Sequence, residues 1–336
     1  MRRAGMTGKE MLLLSKQEIQ SILTIRDTIN ILESAFAEFA NGNVDLPERT
    51  YIHSKENNGM TLFMPGYLKE SHTLGTKIVT VYNGNKKYNL PSVIGTIFLL
   101  DDKTGEPLAI MDGTLITAFR TGAVAGLAAK CLARQNAEVH TLFGTGGMAA
   151  PHALAINEVR AIKKLNVVSA SSKESKIDFV NSLKEKINCE IVICENAEEA
   201  VREADIVTLI TSAKVPVING YWIKPGTHIH SAGAHSPQMR EIDTATIIKS
   251  KCVCDSFDAC KKEAGDFIIP IQENRWSWNK LHGTLGQICS KEIPARENEN
   301  EITVFKSVGL AIQDLSTANY VYKKAVELGI GTEFSF

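Results

Sequence analysis

The sequence predicts an α/β protein: a Rossmann-type doubly wound parallel sheet inserted into an α+β domain. Three observations carry this. From "EVHTLF" (138–143) to "KCVCDS" (251–256), short apolar runs alternate with helical stretches, the rhythm of parallel strand–helix–strand units. At the start of that rhythm, "LFGTGGMAAPHALAI" (142–156) sets Gly144, Gly146 and Ala149 at a G-x-G-x-x-A spacing. Ahead of it lie some 60 residues of a different texture, and 336 residues exceed a comfortable single core.

In chain order, residues 15–43 read as two helices. Ile25, Ile29, Leu32, Phe36 and Phe39 recur at steps of four and three, and "NGN" (41–43) stops the stripe. Between 49 and 110, "RTYIHS", "GMTLFMPGYL", "LGTKIVTVY", "PSVIGTIFLLDD" and "PLAIMDG" are β-rich runs separated by turn residues, which suits an antiparallel or mixed sheet. "TLITAFRTGAVAGLAAKCLARQNA" (114–137) is a long Ala-rich helix. "EVHTLF" then forms a strand, 148–164 a helix, "LNVVSAS" a strand and 174–187 a helix. "EIVICE", "ADIVTLIT", "THIHSAG" and "KCVCDS" are further strands. The tail, 312–330, is a helix with its own apolar face and returns to the first domain.

Composition narrows the function. Apolar residues make up 44%, charged residues 22%, and the net charge is −1. With no long Lys/Arg run, a nucleic-acid footprint and a polybasic membrane patch are not expected. No apolar stretch reaches the roughly 18 residues of a membrane span. The three consecutive leucines of "MRRAGMTGKEMLLLSK" are too short for a signal-peptide apolar region, and residues 1–10 read as a flexible extension. Seven scattered cysteines (131, 189, 194, 252, 254, 260, 289) do not form a disulfide framework and point to the cytoplasm. Cys252 and Cys254 share a strand face without two further ligands nearby, so they read as buried thiols and no metal is expected.

The glycine loop has the context that gives its spacing a mechanism. Gly144 permits the tight turn, Gly146 lets backbone approach a pyrophosphate, and Ala149 allows close helix–strand packing. Thr145, Gly147 and Met148 complete the cradle at a helix N-terminus, whose amides and dipole favour an anion. At the tip of the second strand, "NVVSASSKES" offers Ser169, Ser171, Ser172 and Lys173 and no acid, although Glu174 follows. An NAD site would place Asp or Glu there. Hydroxyls and a lysine suit a 2′-phosphate, so NADPH is favoured over NADH.

"TKIVTVYNGN", "LDDKTGEPLAIMDGTLITAFRTGAVAGLAAKCLAR", "GTGGMA", "ADIVTLITSAKVPVI", "KPGTHIHSAGAHSPQMREID", "DSFDACKKEAGD" and "EITVFKSVGLAIQDLSTA" occur in order. Together they resemble the ornithine cyclodeaminase/μ-crystallin family over nearly the whole chain from Met11. The resemblance implies a substrate-binding and dimerisation domain (11–120 with 312–336), an NAD(P)-binding Rossmann domain (121–311) and a homodimer. It also implies hydride chemistry on small imino or amino acids.

Arg49, Lys77 and Arg120 match the family's substrate-carboxylate positions. The chemistry gives a reason: arginine forks grip a carboxylate and so fix the α-carbon. Lys77 can bond the carboxylate or give a proton to nitrogen. Arg120 lies in an apolar run, where a charge needs an anionic partner. Asp314 matches an acidic family position. Thr211 and Ser212 follow "DIVTLI" at a strand end, where a nicotinamide or ribose would pass, and Ser307, Val308 and Gly309 match the family stretch beside the nicotinamide. The departure is His235, where cyclodeaminases carry Asp; a histidine can act as acid or base but supplies no fixed negative charge. This favours reduction of a cyclic ketimine such as pyrroline-2-carboxylate, or reaction of a related L-amino acid, over cyclisation of ornithine to proline and ammonia. A non-catalytic NADPH-dependent binding protein is the other alternative. His228 and His230 read as structural, and Trp276 and Trp278 as packing.

Overall fold

The computed structural model describes residues 10–335. The extension expected over residues 1–10 lies, up to residue 9, outside the described residues, and Glu10 already opens a strand. In chain order the elements are β1 (Glu10–Leu14), α1 (Lys16–Ile22), α2 (Ile25–Ala40), β2 (Val44–Asp45), β3 (Thr50–Ser54), β4 (Gly59–Leu68), β5 (Thr73–Tyr82), β6 (Val93–Leu100), β7 (Pro107–Asp112) and α3 (Gly113–Leu132). Next come β8 (Val139–Phe143), α4 (Ala149–Val159), β9 (Lys164–Val168), α5 (Lys173–Lys184), β10 (Glu190–Ile193), α6 (Ala197–Glu203), β11 (Ile206–Leu209) and β12 (His228–Ser231). Then follow α7 (Thr244–Lys249), β13 (Lys251–Cys254), α8 (Phe257–Glu263), α9 (Gly265–Gln272), β14 (Gly283–Thr284), α10 (Leu285–Cys289), β15 (Thr303–Lys306), α11 (Ala311–Leu328) and β16 (Thr332–Ser335).

The chain divides into two compact units: the chain up to Arg120 together with the chain from Leu310, and Thr121–Gly309. In the first, the strands run in the order β16-β1-β7-β6-β5-β4-β2, with β3 also paired to β4. The pairings are antiparallel except β1 with β7. Helix α11 packs on α2 and across β4, β5 and β6. Gly66 and Gly75 face each other across β4 and β5. A Cβ at either would come within 3.0 and 3.2 Å of Leu315, so this glycine pair admits α11 close to the sheet. Alternation then puts Lys77, two residues beyond Gly75, on the same covered face.

The second unit is a sheet of parallel strands ordered β10-β9-β8-β11-β12-β15-β13-β14. The order reverses between β8 and β11, the switch point at which doubly wound sheets bind ligands. Its central strands are buried, as strands covered on both faces require, and β12 and β15 bury polar side chains as well as apolar ones.

Sequence patterning missed β1, β16 and β15. The first two are short end strands, and β15 carries a fully buried lysine, Lys306, that reads as a surface residue. A correction concerns α3. No stretch of membrane-spanning length was expected, yet this 20-residue helix is long and apolar enough to cross a membrane, with 72% of its most apolar window buried in the protein. Thr114, Thr117, Arg120, Thr121 and Lys130 break any continuous apolar run, while the Leu, Ile, Val and Ala between them keep the average hydropathy high. Cys252 and Cys254 are buried in β13, and all seven cysteines are free. Trp276 stacks on Phe267 and meets Trp278 edge-on, which is a packing role.

Candidate functional site

In the first unit the structure brings Lys77, Arg120 and Asp314 together. Lys77 Nζ donates to Asp314 Oδ2 at 2.6 Å, and Arg120 Nε donates to Oδ1 at 2.9 Å. Arg120 Nη1 donates to Gln313 Oε1 at 2.6 Å, which fixes the amide orientation. All four side chains are buried. Gln313 is neutral, so among these four side chains two cations share the one carboxylate of Asp314 and one positive charge is left over. Gln313 was not singled out from the sequence, although its place beside Asp314 in the first turn of α11 was the available signal. Its Nε2 is buried and has no hydrogen-bond partner among the described residues.

Electrostatics tune this cluster. Burial lowers the Lys77 pKa to about 8, and the positive charges of Arg120 and Arg49 push the same way, while Asp314 opposes them. Burial works to raise the Asp314 pKa, but Arg120 and Lys77 outweigh it and hold the carboxyl below its usual value. Arg49 is half-buried just ahead of β3, and its charge is felt at Lys77. The arrangement offers an ammonium that can release a proton near neutral pH beside donors that lack enough anions.

In the second unit, the glycine loop joins β8 to α4. Gly144 has φ +107°, and a Cβ there would stand 2.6 Å from Ile210 O. Side chains are therefore excluded at this position. Gly146 and Gly147 are exposed, with open space where a Cβ would point. Met148 is the N-cap residue of α4 without a side-chain cap, and Ala149 is buried against the sheet. Thr145 Oγ1 lies 3.0 Å from Ser169 Oγ and 2.6 Å from Ser171 Oγ, so the loop is tied to the tip of β9. Ser172 caps α5, and Ser172 and Lys173 are exposed. An open backbone cradle at a helix N-terminus, next to a hydroxyl cluster, fits a dinucleotide pyrophosphate and ribose.

The remaining expected residues of this unit sit in turns after strands. Thr211 and the exposed Ser212 follow β11, and His235 follows β12. His235 is exposed, and its Nδ1 lies 3.0 Å from Gly233 O. Ser307, Val308 and Gly309 follow β15 and are buried. Asp255 Oδ2 accepts from Ser307 Oγ, Val308 N and Gly309 N, each at 2.8 Å. His228 and His230 are buried in β12, which agrees with a structural role. Asp255, Glu241 and Asp266 were missed because a lone acid in sequence reads as a solvated side chain; all three are fully buried.

The model of the ornithine cyclodeaminase/mu-crystallin family matches residues 9–329. The Delta(1)-pyrroline-2-carboxylate reductase of Bacillus thuringiensis subsp. konkukian is 37% identical over 327 residues, covering 97% of this chain and 100% of that protein. The solved structure of Thermococcus litoralis Delta(1)-pyrroline-2-carboxylate reductase, in complex with NADH and L-proline, superposes with a TM-score of 0.92. It is 42% identical, over 96% of this chain and 99% of that one. An archaeal alanine dehydrogenase dimer with bound NAD is similar at a TM-score of 0.90 and 31% identity, over 97% of this chain and 99% of that one.

Proposed function

Because the chain belongs to the ornithine cyclodeaminase/mu-crystallin family, we propose that it is a reductase of a small cyclic imino acid of the pyrroline-2-carboxylate class. The wider activity is that of an NAD(P)H-dependent oxidoreductase acting on imino or amino acids. The observation that carries the finer reading is the buried cluster of two cations on one anion. An apolar ligand would leave that excess charge uncompensated, whereas a substrate carboxylate neutralises it.

When bound, a nicotinamide dinucleotide would supply the hydride that the substrate α-carbon accepts. Arg120 is held by Asp314 and Gln313, with Nη2 unengaged among the described residues, so it can take one carboxylate oxygen. Gln313 Nε2 is a second donor for the same group. Arg49 adds a positive charge that is felt at Lys77. As the C=N π pair moves onto nitrogen, Lys77 Nζ gives that nitrogen its proton. A pKa of about 8 leaves Lys77 mostly protonated at neutral pH yet ready to release the proton. Asp314 orients the ammonium. His235, on its exposed turn, supplies no fixed carboxylate for ornithine cyclisation.

The Ser169, Ser171, Ser172 and Lys173 tip supports NADPH over NADH. Dissociation constants for both at one salt concentration test this, and a clear NADH preference refutes it. A homodimer through the first unit's sheet is supported by its outward face. The register sets Ile52, Thr61, Thr80 and Ile94 in one row, with Ile52 57% and Ile94 37% exposed. Light scattering of Ile52→Glu against wild type reads the assembly. The free thiols support a cytoplasmic location. The activity itself is read by 340 nm absorbance with cyclic imines, keto acids with amines, and L-ornithine. No hydride transfer across that panel would leave a binding protein; proline from L-ornithine would make it a cyclodeaminase.

A further inference from the structure

Glu241 lies beyond the end of β12, fully buried, and no step above uses it. Its carboxylate accepts five hydrogen bonds from two separate turns. Oε1 takes Thr211 N at 2.7 Å and Thr211 Oγ1 at 2.8 Å, both from the turn after β11. Oε2 takes Ser231 Oγ at 3.0 Å, whose one proton is shared with Asp266 Oδ2 at 3.1 Å, and Gly233 N at 2.8 Å and Ala234 N at 3.3 Å, from the end of β12 and the turn that follows. The two turns are also in direct contact: a Cβ at Gly233 would strike the Thr211 backbone. Only glycine allows this approach.

A second layer holds Glu241 in place. Asp266, in the first turn of α9, accepts the backbone N–H of Glu241 at 2.7 Å and of Ile242 at 2.9 Å. It pairs with Lys306 Nζ of β15 at 2.7 Å, and Lys306 donates to Ala234 O at 2.6 Å. The carboxyl ends of β11, β12 and β15 are thereby joined by buried charges. These strands lie on the β11 side of the reversal in strand order, while the glycine loop and serine tip follow β8 and β9. In a doubly wound sheet a dinucleotide spans the switch point, one half on each side. The glycine-loop side takes the pyrophosphate and adenosine, which leaves the β11 side for the nicotinamide riboside.

We infer that Glu241 is a positioning residue that locks the turns after β11 and β12 into one platform for the nicotinamide half of the dinucleotide. The inference rests on the dinucleotide reading of this unit. The turn after β12 also carries His235, so the same lock sets where that side chain is presented.

Glu241→Gln keeps the shape but turns one acceptor oxygen into a donor facing N–H and O–H groups. A buried donor left unsatisfied costs enough to weaken binding by about 5- to 100-fold. The test compares the full chain's dissociation constants for NADPH and NADH, by nicotinamide fluorescence, with that for ADP-ribose, by calorimetry. ADP-ribose lacks the nicotinamide. The variant should bind the whole dinucleotides about tenfold or more weakly and ADP-ribose within about twofold of wild type. Ser231→Ala, which removes the hydroxyl shared by Glu241, Asp266 and Lys306 in the same lock, should show the same selectivity at smaller size. Unchanged dinucleotide binding in Glu241→Gln, or parallel loss for all three ligands, overturns the inference. If Glu241→Gln does not fold, equal weakening of ADP-ribose and dinucleotide by Ser231→Ala overturns it. Wild-type chain that binds no dinucleotide would overturn the functional reading, and the platform with it.

Discussion

Asp314→Asn removes the anion shared by Lys77 and Arg120 while keeping the side-chain shape. Two effects follow from the structure. Asp314 is the influence that raises the Lys77 pKa, against burial and the charges of Arg120 and Arg49. An opposite charge in contact shifts a pKa by roughly 1–3 units, so its loss should lower the Lys77 pKa from about 8 by that amount. At pH 7.5 the protonated fraction would drop from about three-quarters to about a quarter or less. The sign is fixed by the role: the protonated ammonium serves reduction, so kcat/KM falls as pH rises through the Lys77 pKa. In the variant that fall should come at lower pH. The second effect is on stability. Breaking a buried pair by removing one partner costs about 3–5 kcal/mol, and here two cations are left behind. The assay is the pH profile of kcat/KM for imine reduction at saturating dinucleotide, beside urea unfolding of both proteins. A variant whose profile falls at the wild-type pH would refute Lys77 as the proton donor. A variant of wild-type stability would refute the charge balance described for the cluster.

Arg120→Ala should abolish turnover while dinucleotide affinity survives, because losing the carboxylate anchor costs several kcal/mol of barrier; a near-normal kcat/KM would remove Arg120 from the site. His235→Asn should change the pH profile of reduction on one substrate, and superimposable profiles would leave His235 a structural residue. Acid should destabilise the second unit through its buried histidines. Burial lowers the pKa of both His140 and His228 from 6.5 to about 3, so the fold favours their neutral forms. That stability is fully present above 6.5 and is lost as pH falls from 6.5 toward 3, at about 1.4 kcal/mol per pH unit for each. Urea midpoints at pH 7.5 and 5.5 measure it, and His140→Gln should reduce the difference.

The glycine loop was legible because its chemistry is local. A turn at positive φ, followed by small residues and a helix, leaves its mark within eight residues. Lys77, Arg120 and Asp314 were legible only through the order of motifs, since they are brought together across 237 and 194 residues of chain. No periodicity links a lysine in β5 to an acid in α11. Glu241 and Asp255 stayed hidden for a related reason. Their partners are backbone amides and side chains of distant turns, and a single sequence does not say that an acid is buried. The end strands escaped because four or five residues carry too little alternation to stand out.

The pairing of β1 with β16, Glu10 opposite Ser335, has a consequence for biogenesis. A nascent chain emerging from the ribosome presents Lys77 and Arg120 long before α11 and β16 exist. Thr121–Gly309 can collapse into its own sheet during that interval, since its strand partners are all contained within it. The first sheet is completed only by the segment from Leu310 onward, which brings both its edge strand and the carboxylate that its two cations share. Translation stalled before Leu310 should therefore release a chain with a protease-resistant centre and a cleavable amino-terminal portion.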